Sequence, residues 1–148
     1  METKKYIAYG SNLNVQQMKY RCPNAKVLFV GEIKNYRLLF KGSKSGNYLT
    51  IEPFEGRTVP VVVWAVTDEC ERKLDIYEGF PRFYRKETVP VVTAEGKTIN
   101  DAFAYIMNGH HIGLPSSQYM RTCISGYQSF GFDPEILWAA AAESNPAV

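Results

Sequence analysis

A glutamate between aromatic residues is the side chain of this sequence best suited to acid–base chemistry. Glu78 lies in the segment YEGFPRFY (77–84), directly after a segment patterned as a helix. In the last turn of a helix a carboxylate meets the negative end of the helix dipole, and Leu74 one turn earlier supplies apolar surroundings. Both effects disfavour the charged form, so we expect a raised pKa, as a general acid–base catalyst near neutral pH requires. Glutamates at helix ends are more often solvated surface residues, so the pattern alone leaves both interpretations open.

The helix that must position Glu78 is predicted over 68–77. Asp68 is the expected N-cap, and Glu71 three residues later completes a capping box. Gly79 is expected to end the helix, because glycine adopts the left-handed conformation that closes one. The predicted apolar face is spaced i, i+4 and i+7 and consists of Cys70, Leu74 and Tyr77.

A second candidate site follows the first predicted strand, over residues 5–9. The strand breaks at Gly10-Ser11-Asn12, and Asn14 is then expected to cap a short helix. Glycine allows a ligand to approach the backbone, and the unpaired N–H groups that follow are donors for an anion. Short motifs of this kind also occur in ordinary strand–helix turns, so the anion site is one of two interpretations.

The rest of the chain predicts a single α+β domain over residues 1–148, with a core of about 5–133 and a C-terminal helix of about 133–143. Strand-like segments rich in β-branched and aromatic residues dominate, with helices inserted between them, so we expect a mixed or barrel-like sheet. The predicted strands cover residues 25–31, 36–41, 48–51, 59–65, 84–92 and 102–107.

Charge and apolar patterning argue against nucleic acid and membrane partners. The net charge is +2 and the basic residues are scattered, whereas nucleic-acid-binding proteins cluster them. No apolar run is long enough to span a membrane, and the first residues lack the apolar segment of a signal peptide. The chain has three cysteines without metal-like spacing, which indicates reduced thiols and a cytoplasmic location.

Neither a metal nor a catalytic thiol is expected. His110 and His111 are adjacent, so their side chains diverge, and no third ligand follows at a metal-site spacing. Cys70 and Cys123 fall on apolar helix faces, where packing explains them better than nucleophilic chemistry. Ser11 has no histidine placed to activate it, so its hydroxyl is better interpreted as a turn group.

Four motifs, in this order, resemble the γ-glutamylcyclotransferase family, including its AIG2-like branch. They are Tyr-Gly-Ser-Asn-Leu (9–13), Leu-Asp-x-Tyr-Glu-Gly-x-Pro-x-x-Tyr (74–84), Ala-Tyr-Ile-Met (104–107) and Leu-Pro-Ser-Ser-Gln-Tyr (114–119). The resemblance runs from about residue 5 to residue 133. One departure is Val61, where many members have a glycine in the strand before the central helix.

The resemblance implies a small mixed β-barrel with flanking helices, and an enzyme that releases 5-oxoproline from γ-glutamyl compounds without a cofactor. It assigns the general acid–base role to Glu78. It places the substrate-binding loop at Tyr9, Gly10, Ser11, Asn12 and Leu13, and the cavity tyrosines at Tyr84, Tyr105 and Tyr119.

Two other functions stay open at this stage. One is a non-catalytic small-ligand binding module with the same pocket, and the other is an enzyme that acts on γ-glutamyl amines or isopeptides, with a different leaving group. The leaving-group pocket is expected between loops 42–47 and 108–115, since specificity commonly varies in such loops.

Overall fold

The computed structural model describes residues 2–147, which form one mixed sheet and four α-helices. The strands are β1 (Lys4–Ala8), β2 (Lys26–Ser43), β3 (Gly46–Val66), β4 (Tyr84–Thr88), β5 (Val91–Thr93), β6 (Thr98–Ile99), β7 (Ala102–Met107) and β8 (His111–Ile112). The helices are α1 (Val15–Arg21), α2 (Asp68–Glu78), α3 (Ser117–Ser129) and α4 (Glu135–Glu143), and a short 3-10 helix covers Ser11–Leu13.

The sheet confirms the predicted α+β class and mixed topology. Its strand order is β4-β7-β1-β3-β2-β5-β6, with β8 paired to β2, and it curls into a half-barrel. The β1–β7 pairing is parallel and the other pairings are antiparallel. The predicted hairpin between the strand beginning at Tyr84 and residues 102–107 is present as the β4–β7 pair, although that first strand breaks at Pro90, between β4 and β5.

One long hairpin replaces the four separate strands predicted between residues 25 and 65. β2 and β3 pair along nearly their whole length, with register shifts between Val27 and Phe29 and between Lys34 and Tyr36. Asn35 (φ 63°) and Gly56 (φ 87°) have left-handed backbones, and the Gly56 N–H donates to Asn35 Oδ1 at 3.0 Å. The turn-forming residues therefore mark irregularities within long strands rather than strand ends, because a bulge absorbs an extra residue and keeps the pairing.

Helix α2 begins and packs differently from the prediction, although it ends where expected. Thr67 is the N-cap instead of Asp68, and its hydroxyl accepts from the Cys70 N–H at 3.2 Å. Gly79 closes the helix with φ 67°. Leu74 is fully buried, but Tyr77 is 46% exposed and does not belong to the buried face. The last residue of the helix, Glu78, is thereby placed where the buried face meets solvent.

The prediction of reduced thiols is wrong for two of the three cysteines. Cys22, which follows α1, forms a disulfide with Cys70 in the first turn of α2, and Cys123 is the free, buried cysteine. The two partners are 48 residues apart, so their spacing in the sequence gave no sign that α1 and α2 pack side by side. The bond fixes the end of α1 to α2.

No helix in residues 2–147 is both long enough and apolar enough to cross a bilayer.

Candidate active site

A cavity of about 210 Å³ opens between the start of the chain, the β2–β3 hairpin, the end of α2 and the first turn of α3. Every predicted site residue except Leu13 lines it. Its walls are formed by Tyr6, Ile7, Tyr9, Gly10, Ser11, Asn12, Tyr48, Leu49, Tyr77, Glu78, Phe83, Tyr84, Tyr105 and Tyr119. Residues that are distant in sequence thus meet around one aromatic pocket that carries a single carboxylate.

Glu78 is the ionisable group of this cavity that titrates near neutral pH. Burial raises its pKa from 4.5 to about 7, while the positive charge of Arg21 acts in the opposite direction. Within residues 2–147 the Glu78 carboxylate forms no hydrogen bond and no salt bridge. Its oxygens therefore have no protein partner in place of a substrate proton. The shift has the expected direction, and its largest cause is removal of the carboxylate from water.

The backbone that follows β1 lines the cavity and carries unpaired donors within residues 2–147. In the part of the chain that the structure describes, the N–H groups of Gly10, Ser11 and Asn12 have no protein acceptor. Leu13 departs from the prediction, because its N–H donates to the Gly10 carbonyl at 3.0 Å and its side chain is fully buried in the core. The short 3-10 helix explains this, since its first internal bond uses the Leu13 N–H and leaves the three preceding donors unpaired.

Side-chain contacts fix the conformation of this loop. Asn12 Nδ2 donates to the Tyr6 hydroxyl at 2.8 Å, and the guanidinium of Arg21 donates to Asn12 Oδ1. The hydroxyls of Ser11 and Tyr77 lie 3.5 Å apart. The Asn12 side chain is therefore held by two protein partners, and the backbone N–H groups of the loop keep their hydrogen-bonding capacity.

Tyr9 of the predicted loop and the three predicted cavity tyrosines form walls, and their hydroxyls bond within the protein. Tyr9 donates to the carbonyl of Tyr105 at 2.5 Å, and Tyr84 donates to the carbonyl of Leu49 at 2.8 Å. Tyr105 donates to Asp75 Oδ1 at 2.6 Å, and the Tyr119 hydroxyl accepts from the Leu49 N–H at 3.1 Å. Three of these four hydroxyl protons are therefore committed to protein acceptors, so those rings supply shape and low polarity rather than free donors.

Sequence reasoning missed a second set of lining residues. Tyr77 belongs to the motif at 74–84 and Phe83 occupies one of its variable positions, so the motif could have pointed to both. Tyr48 and Leu49 come from the start of β3, and their part in the cavity carries no local signal. Arg21 was also missed, although it lies nine residues after Asn12, because only the packing of α1 against α2 brings it to the site.

The two loops expected to form a leaving-group pocket do meet in space. Asn47 Nδ2 donates to the carbonyl of Leu114 at 2.9 Å, and β8 pairs with the end of β2. The ring of His110 lies 4.4 Å from that of Phe83, measured between centroids, which connects the second loop to the cavity wall. The assignment of this end of the cavity to a leaving group stays a prediction.

Groups of three or more His, Cys, Asp or Glu side chains able to hold a metal ion do not occur within residues 2–147.

The structure thus combines a curled mixed sheet with an aromatic cavity whose lining includes one carboxylate of raised pKa and a loop with unpaired backbone donors in residues 2–147, the combination expected of a small-molecule acid–base site. The family model described as "Gamma-glutamyl cyclotransferase, AIG2-like" matches residues 6–122. The chain belongs to this family.

Individual relatives agree with that assignment. The gamma-glutamylcyclotransferase of Homo sapiens is 31% identical over 142 residues, covering 90% of this chain and 75% of the relative. The Mus musculus protein of the same name is 32% identical with the same coverage. A solved structure of a gamma-glutamyl cyclotransferase superposes with a TM-score of 0.85 at 30% identity, covering 95% of this chain and 88% of the other. The fold expected from the motifs is thereby confirmed.

Proposed function

We propose that this chain is a γ-glutamylcyclotransferase that converts a γ-glutamyl amide or peptide into 5-oxoproline and a free amine. The observation that carries the proposal is Glu78, a carboxylate whose pKa is raised to about 7, which has no protein partner and shares its cavity with the free N–H groups of Gly10, Ser11 and Asn12. Such a group is half-ionised near neutral pH and can both accept and return a proton.

The reaction closes a five-membered ring within the substrate. The α-amine of the γ-glutamyl unit is an ammonium in solution, so Glu78 first removes a proton. The nitrogen then attacks the side-chain carbonyl carbon, and the bond from that carbon to the leaving nitrogen breaks. Glu78 delivers its proton to the leaving nitrogen, a second proton passes on from the attacking nitrogen, and the amine departs as an ammonium.

The cavity favours this reaction by holding the substrate folded. Well-oriented intramolecular reactions reach effective molarities on the order of 10⁵ M or more, so restricting the chain to the attack geometry removes much of the barrier. Tyr9, Tyr84, Tyr105 and Tyr119 supply rigid walls for this purpose. We assign them, with the loop, to substrate binding.

The free N–H groups of the loop fit two anionic groups, the substrate carboxylate and the oxyanion of the tetrahedral intermediate. A crystal structure with 5-oxoproline distinguishes these roles, because the product keeps the carboxylate and has no oxyanion. Hydrogen bonds from Gly10, Ser11 and Asn12 to the product carboxylate would assign the loop to binding. A carboxylate bound elsewhere would leave the loop to the oxyanion.

The direct test is incubation with a panel of γ-glutamyl amino acids, γ-glutamyl amines and glutathione, with detection of 5-oxoproline. Formation of 5-oxoproline by the wild type but not by Glu78→Gln supports the proposal. Turnover restricted to γ-glutamyl amines identifies the amine-directed enzyme, with the same chemistry and a different leaving group. Binding of panel members without any turnover identifies a non-catalytic module and rejects the enzyme.

A further inference from the structure

Arg21 connects the two halves of the candidate site. It is the last residue of α1, and its guanidinium carbon lies 3.5 Å from the centroid of the Tyr77 ring. The same guanidinium donates through Nη1 to Asn12 Oδ1. One side chain thus contacts the loop with the free N–H groups and the residue next to Glu78.

The backbone around Arg21 is held firmly in this place. Cys22, the next residue, is bonded to Cys70 of α2, and its N–H donates to the Met18 carbonyl at 2.7 Å. Met18 is fully buried in the core. Because α1 is tied to α2 both by packing and by a covalent bond, only the rotamers of the Arg21 side chain remain to be ordered over the end of α2.

The surroundings of Glu78 contain little charge besides Arg21. The pKa values of the tyrosines whose charge would act on Glu78 are all raised by burial, so these side chains are neutral near pH 7; they are Tyr6, Tyr9, Tyr84, Tyr105 and Tyr119. Asp75, one turn earlier on α2, accepts from Tyr105 and pairs with Lys86 at 2.8 Å. Within residues 2–147, Arg21 is the charged side chain that acts on Glu78.

We propose that Arg21 is a positioning residue of the cyclotransferase reaction, which holds Asn12 and Tyr77 together at the cavity and keeps Glu78 available as an ionised base. The inference rests on the proposed catalytic role of Glu78. It contains two separable parts. The planar guanidinium fork orients Asn12 while stacking on Tyr77, which a lysine ammonium cannot reproduce. The positive charge of Arg21 favours the ionised form of the Glu78 carboxylate, and a lysine at this position would keep that charge.

The test compares Arg21→Gln with Arg21→Lys, using the pH dependence of kcat/KM together with a carbon NMR titration of the Glu78 carboxyl. Glu78 acts as a base only when its carboxyl is ionised. The rate should therefore rise as the pH increases through the pKa of this carboxyl. Removing the cation raises that pKa, so Arg21→Gln should move both the acidic limb and the carboxyl titration to higher pH by about half a unit or more. Arg21→Lys should leave the acidic limb and the carboxyl titration within about 0.3 pH units of wild type, because the charge is kept. It should raise KM several-fold, because the bond to Asn12 is lost.

Arg72→Gln is the matched control. Arg72 is an exposed arginine of α2 that forms no ion pair within residues 2–147, so its loss removes the same charge without touching the site. An unchanged profile in Arg72→Gln beside a shifted one in Arg21→Gln supports the proposal. Equal profiles for wild type and Arg21→Gln, or equal shifts in both glutamine variants, would overturn it.

The two proposals can fail independently. Absence of 5-oxoproline with the wild-type protein rejects the cyclotransferase, and with it the positioning role, whatever the carboxyl titration shows. An active wild type in which Arg21→Gln titrates like the unmodified protein rejects the positioning role alone. Should Arg21→Gln not fold, Arg21→Lys decides: an unchanged KM contradicts the orienting contact, and a several-fold higher KM with an unmoved acidic limb supports it.

Discussion

The Tyr105 hydroxyl donates to Asp75 Oδ1 at 2.6 Å, so a wall of the cavity is bonded to the same helix that carries Glu78. Lys86 continues this connection, because its Nζ lies 2.8 Å from Asp75 and 2.6 Å from Glu71. Lys4 reaches Glu71 from β1 at 2.8 Å. A chain of polar contacts therefore joins β1, β4 and β7 to one face of α2, behind the cavity.

Tyr105→Phe should affect stability more than catalysis. The hydroxyl proton is used on Asp75, so its loss is expected to lower the free energy of unfolding by about 1 kcal/mol. Turnover should stay within about tenfold of wild type, since the ring still forms the wall. Denaturant unfolding and steady-state kinetics measure the two effects. The matched control is Tyr84→Phe, since Tyr84 is also a tyrosine of the cavity wall whose hydroxyl donates within the protein, to the Leu49 carbonyl. A drop in turnover of 10²-fold or more at unchanged stability in Tyr105→Phe would show that its hydroxyl acts on the substrate.

Glu78→Gln should remove catalysis and leave substrate binding nearly intact. Glutamine keeps the shape of the side chain but cannot carry the proton, so we expect kcat to fall by a factor on the order of 10² or more. KM should change far less, because the proposed role is proton transfer. In the wild type, the rate should fall as the pH drops through about 7, the pKa of the carboxyl, since only the ionised form is a base. Near-normal 5-oxoproline formation by the variant would remove the catalytic assignment.

The same substitution should change how stability depends on pH. The pKa of Glu78 is about 7 in the folded protein and 4.5 in the unfolded chain, so the native state binds the proton more tightly. Stability is then lost as the pH rises from 4.5 through 7, by up to about 3 kcal/mol. Glu78→Gln has no carboxyl at this position and so does not lose this stability. The melting temperature of the variant minus that of the wild type should therefore increase from pH 5 to pH 8. A difference that stays constant across this range would contradict the raised pKa.

Gly126→Ala tests the packing that supports the loop. A Cβ at Gly126 on α3 would lie 2.7 Å from both the Asn14 nitrogen and the Leu13 carbonyl carbon, and these backbone atoms cannot rotate away. Overpacking of this kind costs about 1–3 kcal/mol, and relief requires the loop to move. We expect lower stability and weaker binding of 5-oxoproline, measured by melting and calorimetry. Gly109→Ala, with no atom within 4 Å of its Cβ, should melt like wild type. Equal behaviour of the two variants would argue against this packing.

The Cys22–Cys70 bond should contribute substantially to stability. It closes a loop of 48 residues, for which chain entropy predicts a stabilisation of about 4 kcal/mol. Reductant should therefore lower the midpoint of denaturant unfolding of the wild type, and it should have no effect on Cys22→Ser. A wild type that is insensitive to reductant would show that the bond does not form in solution.

Cys123 should not react with alkylating agents in the folded protein, because burial raises the pKa of its thiol to about 12.

Local patterns in the sequence were sufficient for the parts of the site that depend on neighbouring residues. The end of α2 at Gly79 and the turn after β1 follow from residue order, helical spacing and backbone preference, which act over a few positions. The motifs at 9–13 and 74–84 marked the loop and the carboxylate in the same way. These features could be located without knowing what packs against them.

Only the tertiary structure decided which distant residues complete the cavity. Tyr48 and Leu49 reach it because β2 and β3 form one long hairpin, and Arg21 reaches it because α1 packs on α2 through Cys22 and Cys70. The burial of the Leu13 side chain likewise depends on the surrounding core and not on its motif. Such contacts join residues tens of positions apart, and side-chain packing in the folded chain selects them, so no local pattern in the sequence encodes them.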